Sequence, residues 1–325
     1  MSAKFPVSIL WPGGGEQCLA GTDESILDAA HAAGVPVPHS CRRGDCLQCV
    51  GEILGGEVEP VAGFTTLDLR SAPLCRLTVR SAVTVKLADD PRVETIPARM
   101  FPVKIVGLSR VAPEIVSLEV VTPRNQLLSF LGGQYATLRL KNGTARHYSI
   151  AAVEPESRVV TFHIRLVNAG AFSDWLAGAA KVGDLLQMEA PLGRFVFDTR
   201  HAERTLMVAT GTGIVPIYAM LVALTPVERR QAGPMTLLWG NRVSSDAYLH
   251  ETLAALGASM DFDYRPIFSQ EGTRRRVTSE FPTVPLEGAR VYAAGHPQMV
   301  VDIRRLALTQ GIRPSDLRVD AFTFS

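Results

Sequence analysis

The 325-residue chain has no run of about 18 apolar residues, and it opens without the basic stretch and apolar core of an export signal. A membrane-spanning helix is therefore not expected, and a soluble, cytoplasmic protein is. Charge of one sign is also missing: 33 basic and 32 acidic side chains leave a net charge of +1. Bulk electrostatics thus supply no pull toward nucleic acid or a membrane surface, and any docking patch has to be local. Five cysteines make poor material for a disulfide framework. Internal repeats and low-complexity tracts are absent, and the length suits two or three domains of about 100–200 residues.

Four of the five cysteines are concentrated. Cys41, Cys46 and Cys49 read C-x₄-C-x₂-C, and Cys75 follows 26 positions after Cys49. That is the plant-type [2Fe–2S] spacing, in which three thiolates of one loop converge on a small inorganic cluster and a fourth closes the cage from elsewhere. Buried cysteines and zinc ligands are the competing readings. A zinc ribbon wants two C-x₂-C pairs and only Cys46/Cys49 forms one, while a Rieske centre needs histidines in place of two cysteines. Cys18 reads as a structural thiol in a strand, and His39 as a surface or packing residue.

Along the chain, Val7–Trp11 and Glu16–Ala20 flank Pro12-Gly13-Gly14-Gly15 as a hairpin. A helix follows, with Thr22 or Asp23 as N-cap, Ile26, Leu27, Ala30 and Ala33 as apolar face, and Gly34 at its end. Residues 88–97, with three acidic side chains and two prolines, read as a linker. Short alternating segments then recur: Val103–Gly107, Ile115–Val121, Tyr135–Leu140, Tyr148–Ala151, Val159–Val167 and Leu185–Ala190. They predict a small antiparallel barrel, interrupted by one helix at Phe172–Ala177. After residue 200 strands alternate with helices: strands Leu206–Thr210, Thr236–Trp239 and Val291–Ala294, and helices from Pro216, around His250–Leu256 and near Met299–Leu308. That rhythm predicts a parallel sheet in a nucleotide-binding domain, with Phe262–Phe268 and Leu317–Phe322 as further strands.

Several short motifs sit on this scaffold. Arg146-His147-Tyr148-Ser149 is preceded by Gly133-Gln134-Tyr135. Gly170-Ala171-Phe172-Ser173 opens a helix after the strand holding His163, Ile164 and Arg165, and Pro191-Leu192-Gly193-Arg194-Phe195 follows the last barrel segment. Four residues such as Arg-x-Tyr-Ser taken alone mark no more than an exposed strand. Gly211-Thr212-Gly213-Ile214-Val215-Pro216 lies between strand and helix, where backbone N–H groups and the helix dipole suit a dinucleotide phosphate. The third glycine of G-x-G-x-x-G is missing, with Pro216 in its place. Trp239-Gly240-Asn241-Arg242 and Tyr292-Ala293-Ala294-Gly295-His296-Pro297 end two later strands, and the chain closes on Asp320-Ala321-Phe322-Thr323-Phe324-Ser325. Arg274-Arg275-Arg276 reads as a solvated face, with a partner or a 2′-phosphate as the alternative.

With these motifs the whole chain resembles the iron–sulfur flavoprotein reductases of bacterial oxygenase systems. The resemblance implies a multi-domain α+β and α/β protein: a β-grasp ferredoxin (1–90), an antiparallel flavin-binding barrel (98–198) and a parallel-sheet NAD(P)-binding domain (202–325). It implies a cluster on Cys41, Cys46, Cys49 and Cys75. FAD is expected rather than FMN, with Arg146 neutralising its pyrophosphate, Tyr148 walling the ring and Ser149 bonding the ring's reactive edge. His147, His163, Ile164, Arg165, Gly170 and Ser173 are expected to line the flavin. Gly211, Thr212, Gly213, Pro216, Arg242 and Gly295 are expected to hold NADH, with NADPH as the alternative. Ser149, Asp320 and Phe322 are the expected catalytic residues, although a terminal apolar strand packing into the sheet competes for the last two. The function implied is passage of electrons from NAD(P)H through FAD and the cluster to an aromatic-ring dioxygenase, a monooxygenase or an intermediate ferredoxin, by a monomer that binds neither nucleic acid nor membrane. A reductase serving deoxysugar biosynthesis or another non-oxygenase acceptor is one alternative, and a flavin-free ferredoxin-fold adaptor is another. Two departures stand out: relatives carry glycine where this chain has Leu47, and cysteine where it has Ala294.

Overall fold

The computed structural model describes residues 3–39, 42–44, 48–64, 69–87, 96–272 and 274–322. Cys41, Cys46, Leu47 and most of the expected linker lie outside the described residues. The chain forms two compact units, one from residues 1–95 with 313–319, the other from 96–312 with 320–325. Among the described residues no single helix is long and apolar enough to cross a membrane.

The first unit opens on a hairpin of β1 (Lys4–Trp11) and β2 (Gly14–Gly21). Its turn is shorter than the glycine run suggested. Trp11 pairs with Gly14, so Pro12 and Gly13 alone make the turn, proline presetting a negative φ and Gly13 taking +83°. Helix α1 (Ile26–Ala32) is capped by Ser25, whose Oγ accepts from the Asp28 N–H at 3.1 Å. The cap expected at Thr22 or Asp23 shifts because Glu24 holds the preceding turn through the Gly21 N–H at 2.8 Å. The remaining strands are β3 (Val50–Gly55), β4 (Val58–Pro60), β5 (Ser71–Pro73), β6 (Leu77–Val79) and β7 (Val83–Lys86). They complete a five-stranded sheet of order β2-β1-β7-β3-β5 and a small β4-β6 ribbon. Ile26, Leu27 and Ala30 of α1 bury against Val7, Ile9 and Val85 in this unit's core.

The second unit begins with a closed barrel of β8 (Arg99–Ala112), β9 (Ile115–Val121), β10 (Tyr135–Arg139), β11 (Ala145–Glu154), β12 (Val159–Arg165) and β13 (Leu185–Leu192), in the order β10-β11-β12-β9-β8-β13. Helix α2 (Ala171–Gly178) closes over it. Closure leaves no free sheet edge, and Ile105, Leu118, Leu138, Phe162 and Met188 fill the interior.

The rest of the unit carries β14 (Arg204–Thr210), α3 (Ile214–Ala223), α4 (Pro226–Ala232), β15 (Met235–Asn241), α5 (His250–Met260), β16 (Asp263–Phe268), α6 (Val277–Glu280), β17 (Ala289–Gly295) and α7 (Pro297–Thr309), while the last strand, β18 (Leu317–Ala321), contributes only Asp320 and Ala321 to it. Strands β16, β15, β14 and β17 pair in parallel in that order, which sets their carboxyl ends at one rim, where α/β sheets bind ligands. Gly211–Gly213 form a 3₁₀ turn, so α3 starts at Ile214 and Pro216 lies inside its first turn. A proline is tolerated there because the first N–H groups of a helix lack intrahelical partners. The barrel meets α3 backbone to backbone: a Cβ at Gly132 would stand 2.4 Å from the Ala219 carbonyl oxygen.

Candidate functional site

In the first unit two of the four expected cluster ligands are described. Cys49 directly precedes β3 and Cys75 sits in the 3₁₀ turn Leu74–Arg76, both buried. Their segments are joined by the Leu74 N–H, which donates to the Cys49 carbonyl at 2.8 Å. Gly44, from the loop that holds Cys41 and Cys46 in sequence, lies against the same turn: a Cβ there would be 2.8 Å from Arg76 Cγ. Arg76 in turn lies over the Phe64 ring, 5.3 Å from its centroid. His39 is committed to packing, with Nδ1 3.0 Å from the Val37 carbonyl and Nε2 3.4 Å from Arg42. Two buried thiols, Cys49 and Cys75, on segments joined by that hydrogen bond suit part of an iron–sulfur ligand set.

In the barrel, strand alternation divides the Arg-His-Tyr-Ser motif between two faces. Arg146 pairs across with Leu138 and Tyr148 with Ala136, while His147 faces Thr137 and Ser149 faces Tyr135. Tyr148 packs on Phe172 of α2 at 5.1 Å between ring centroids, which brings the start of α2, with Gly170 and Ser173, to the same face as Arg146. Arg146 donates to the Ala145 carbonyl at 2.8 Å, and among the described residues no carboxylate pairs with it. A half-buried cation without a counter-ion, beside an aromatic wall, suits a bound anion such as a flavin pyrophosphate. Burial raises the Tyr148 phenol above its ordinary range, so it stays neutral. Ser173 is buried, its Oγ accepting from the Val167 N–H at 3.0 Å. On the other face His147 Nδ1 lies 2.9 Å from Thr137 Oγ1. The Gly-Gln-Tyr turn and the turn after β13 clasp each other through Gln134, which donates to the Gly193 carbonyl at 3.2 Å.

The three residues of β12 go to different places. Ile164 is fully buried in the barrel core, which leaves only its backbone for a ligand. His163 lies with Nδ1 3.1 Å from Tyr248 Oη, and burial holds its imidazole at about 4. The neutral ring and the phenol thus share a hydrogen bond between two uncharged groups. Tyr248 contacts Trp239 edge-on, and Trp239 Nε1 donates to the Gly211 carbonyl at 3.0 Å, so a chain of rings ties barrel strand β12 to the Gly211 turn. Arg165 turns toward that same turn: its guanidinium would lie 3.2 Å from a Cβ at Gly211.

The Gly211 turn forms part of a cleft of about 430 Å³ at the rim of the parallel sheet, lined among others by Arg165, Asn241, Arg242, Ser269, Gly295 and Phe322. Only glycine fits at 213, where a Cβ would come within 2.2 Å of the Ala294 carbonyl oxygen. Phe322 is held over β17 by its N–H, which donates to the Gly295 carbonyl at 2.8 Å. His296 N–H donates to Thr210 Oγ1 at 3.0 Å, and the His296 ring caps α7 by accepting from the Gln298 N–H at 3.2 Å. Ala294 is fully buried among Ile214, Trp239 and Tyr292. Pro216 is buried in the first turn of α3. Arg242 pairs with Glu114 at 2.7 Å and with Asp246 at 3.5 Å, and Arg275 pairs with Glu280 at 2.8 Å. Turn amides at a helix start, an aromatic and several guanidinium groups suit a dinucleotide. Sequence reasoning missed Glu114 and Tyr248 as neighbours of this cleft, because no periodicity brings residues so far apart in the chain together.

A cysteine-bearing unit and a barrel coupled to a dinucleotide-type sheet define a modular electron-transfer oxidoreductase. Its sequence matches the family models described as 2Fe-2S iron-sulfur cluster binding domain over residues 11–80, Oxidoreductase FAD-binding domain over 102–197 and Oxidoreductase NAD-binding domain over 207–305. It is 30% identical to the xylene/toluene monooxygenase electron transfer component XylA of Pseudomonas putida, covering 89% of this chain and 85% of that protein. It is 29% identical to the terephthalate 1,2-dioxygenase reductase component 2 of a Comamonas species, covering 92% of each. Among solved structures it resembles the Amycolatopsis cytochrome P450 reductase GcoB, with a TM-score of 0.68 at 23% identity over 98% of this chain and 99% of that one, a likeness of fold. The chain belongs to the family of iron–sulfur flavoprotein reductase components of bacterial oxygenase systems.

Proposed function

We propose that this chain takes electrons from NAD(P)H and delivers them to a terminal oxygenase or an intermediate ferredoxin. The observation that carries the reading is the presence, in one chain and in the order of its relatives, of the cysteine unit, the barrel and the parallel sheet with its cleft. When bound, the cofactors supply the chemistry: acceptance of a hydride's electron pair at FAD and one-electron transfer at the [2Fe–2S] cluster.

The chain's own residues bind, orient and insulate. Cys41, Cys46, Cys49 and Cys75 are the proposed iron ligands. Arg146 neutralises the flavin pyrophosphate with help from the Gly170–Ser173 turn, Tyr148 walls the ring system, and the Ser149 hydroxyl bonds its reactive edge. The N–H groups of the Gly211–Gly213 turn, together with Arg165, hold the pyrophosphate of the nucleotide. Gly295 and Phe322 flank the nicotinamide, and Asp320 and Phe322 stand toward the flavin. His163 and Tyr248, both neutral at physiological pH, keep the polar contact between barrel and sheet free of titration. The proposed domains are 1–90, 98–198 and 202–325, and the protein works in the cytoplasm as a monomer.

An anaerobic titration with NADH, followed by absorption, tests this. Both flavin and cluster bands are expected to bleach, and the cluster band to recover on addition of a one-electron acceptor. Purified protein lacking either band, or a cluster that stays oxidised while the flavin bleaches, would refute the reading.

A further inference from the structure

On β12 the alternate residues His163 and Arg165 point to the same side of the strand, and each meets the Gly211 turn by its own route. Arg165 approaches it directly, its guanidinium 3.2 Å from a Cβ at Gly211. His163 reaches it through Tyr248, with Nδ1 3.1 Å from the phenol oxygen and the Tyr248 ring edge-on to Trp239 at 6.0 Å between centroids. Trp239 is fully buried and donates from Nε1 to the Gly211 carbonyl at 3.0 Å. Tyr248 is thus the side chain of this relay that touches both barrel and sheet.

The relay fixes a direction as well as a contact. A peptide unit is planar and trans, so the Thr212 N–H points opposite to the Gly211 carbonyl and hence away from Trp239. Thr212 lines the cleft, and the indole therefore sets the aim of an amide in the turn that receives the nucleotide. Tyr248 is itself anchored on the sheet side. The two residues before it, Asp246 and Ala247, are buried, Asp246 pairs with Arg242 of the cleft at 3.5 Å, and the His250 N–H closes the local turn on the Ala247 carbonyl at 2.9 Å.

We propose that Tyr248 is a positioning residue for flavin reduction, its ring supporting Trp239 and through it the nucleotide turn, its hydroxyl holding barrel strand β12 in line with that turn. The proposal rests on the reading of the barrel as the flavin site and of the cleft as the NAD(P)H site. Ring and hydroxyl then have separable effects. The ring bears on how well the nucleotide is held, because the Gly211 turn belongs to the sheet alone. The hydroxyl bears on how the nucleotide lies relative to the barrel, and rates respond steeply to small misplacements of bound reactants.

The test uses the holoprotein at full flavin occupancy, with NAD⁺ affinity measured by calorimetry and the limiting rate of flavin reduction at saturating NADH by stopped flow. Tyr248→Phe keeps the ring and removes the hydroxyl: NAD⁺ affinity is expected to hold and the limiting rate to fall about fivefold, the scale of one hydrogen bond. Tyr248→Ala is expected to slow the rate as well and also to weaken NAD⁺ about fivefold. His163→Leu should match Tyr248→Phe, and the double variant should be no slower than either single one, since both break the same contact. An unchanged limiting rate in Tyr248→Phe overturns the proposal, as do unchanged NAD⁺ affinity in Tyr248→Ala and losses that multiply in the double variant. Wild-type protein that neither binds NAD⁺ nor has its flavin reduced by NADH instead removes the reading on which the proposal stands.

Discussion

Glu114, in the turn between β8 and β9, accepts a hydrogen bond from Nη2 of Arg242 at 2.7 Å, joining the barrel to the tip of the parallel sheet. The same carboxylate lies 3.9 Å from Arg165. One barrel carboxylate thus serves two cleft arginines.

That arrangement bears on nucleotide choice. Arg242 and Arg275 already have carboxylate partners, so wild type is expected to favour NADH. Replacing Glu114 with glutamine removes a negative charge beside Arg242 and should raise kcat/KM for NADPH relative to NADH by about fivefold, the scale of an exposed ion pair. Steady-state kinetics with both nucleotides check it. A wild type that prefers NADPH would assign Arg242 or Arg276 to the 2′-phosphate.

Arg146→Ala should release flavin. The guanidinium has no carboxylate to balance it among the described residues, so its charge is free for the pyrophosphate, and flavin affinity is expected to fall on the order of tenfold or more with its loss. Flavin-to-protein ratio after gel filtration measures this. Full occupancy in the variant would remove the assignment.

His163 predicts an acid-side loss of stability. Burial depresses its folded value to about 4 against an ordinary 6.5, so between those values the unfolded chain binds the extra proton. The contribution is fully present above about pH 6.5 and is lost as pH falls toward 4, a change on the order of 2 kcal/mol once partial solvent access is allowed for. Tm measured from pH 7 to 4.5 should fall more steeply in wild type than in His163→Gln. Parallel curves would mean that other groups carry the acid sensitivity.

Cys46→Ser separates the two redox centres. Loss of the cluster is expected to abolish reduction of the one-electron partner. NADH-dependent reduction of ferricyanide, which reaches the flavin directly, should persist. Partner reduction that survives in the variant would show that the flavin delivers electrons without the cluster.

Much of this architecture is legible in the residue order. Cysteine spacing points to the iron–sulfur domain that the family model matches over residues 11–80, and period-two alternation finds most barrel segments. The change to alternating strands and helices marks the parallel sheet. Strand β8 shows where that signal ends: only Val103–Gly107 was predicted, yet the strand runs from Arg99 to Ala112. Beyond Gly107 its residues are largely exposed and no buried alternate position records the pleat. Helix α1 shows another limit, since Thr22, Asp23 and Ser25 are all good caps and only the competing Gly21–Glu24 hydrogen bond decides among them. In the site, local motifs were visible and long-range partners were not. Arg165 was assigned to the flavin by its strand, and its turn toward Gly211 depends on how the barrel meets the sheet.

The approach of Gly132 to Ala219 has a mechanical consequence. Two main chains in contact leave no side-chain cushion to compress and no linker to swing, so at this point the barrel and the sheet behave as one stiff body. The spacing between the barrel and α3 is then fixed at this joint by main chain alone. Gly132→Ala would wedge this joint apart, and its mark should be slower flavin reduction at saturating NADH with the flavin still bound.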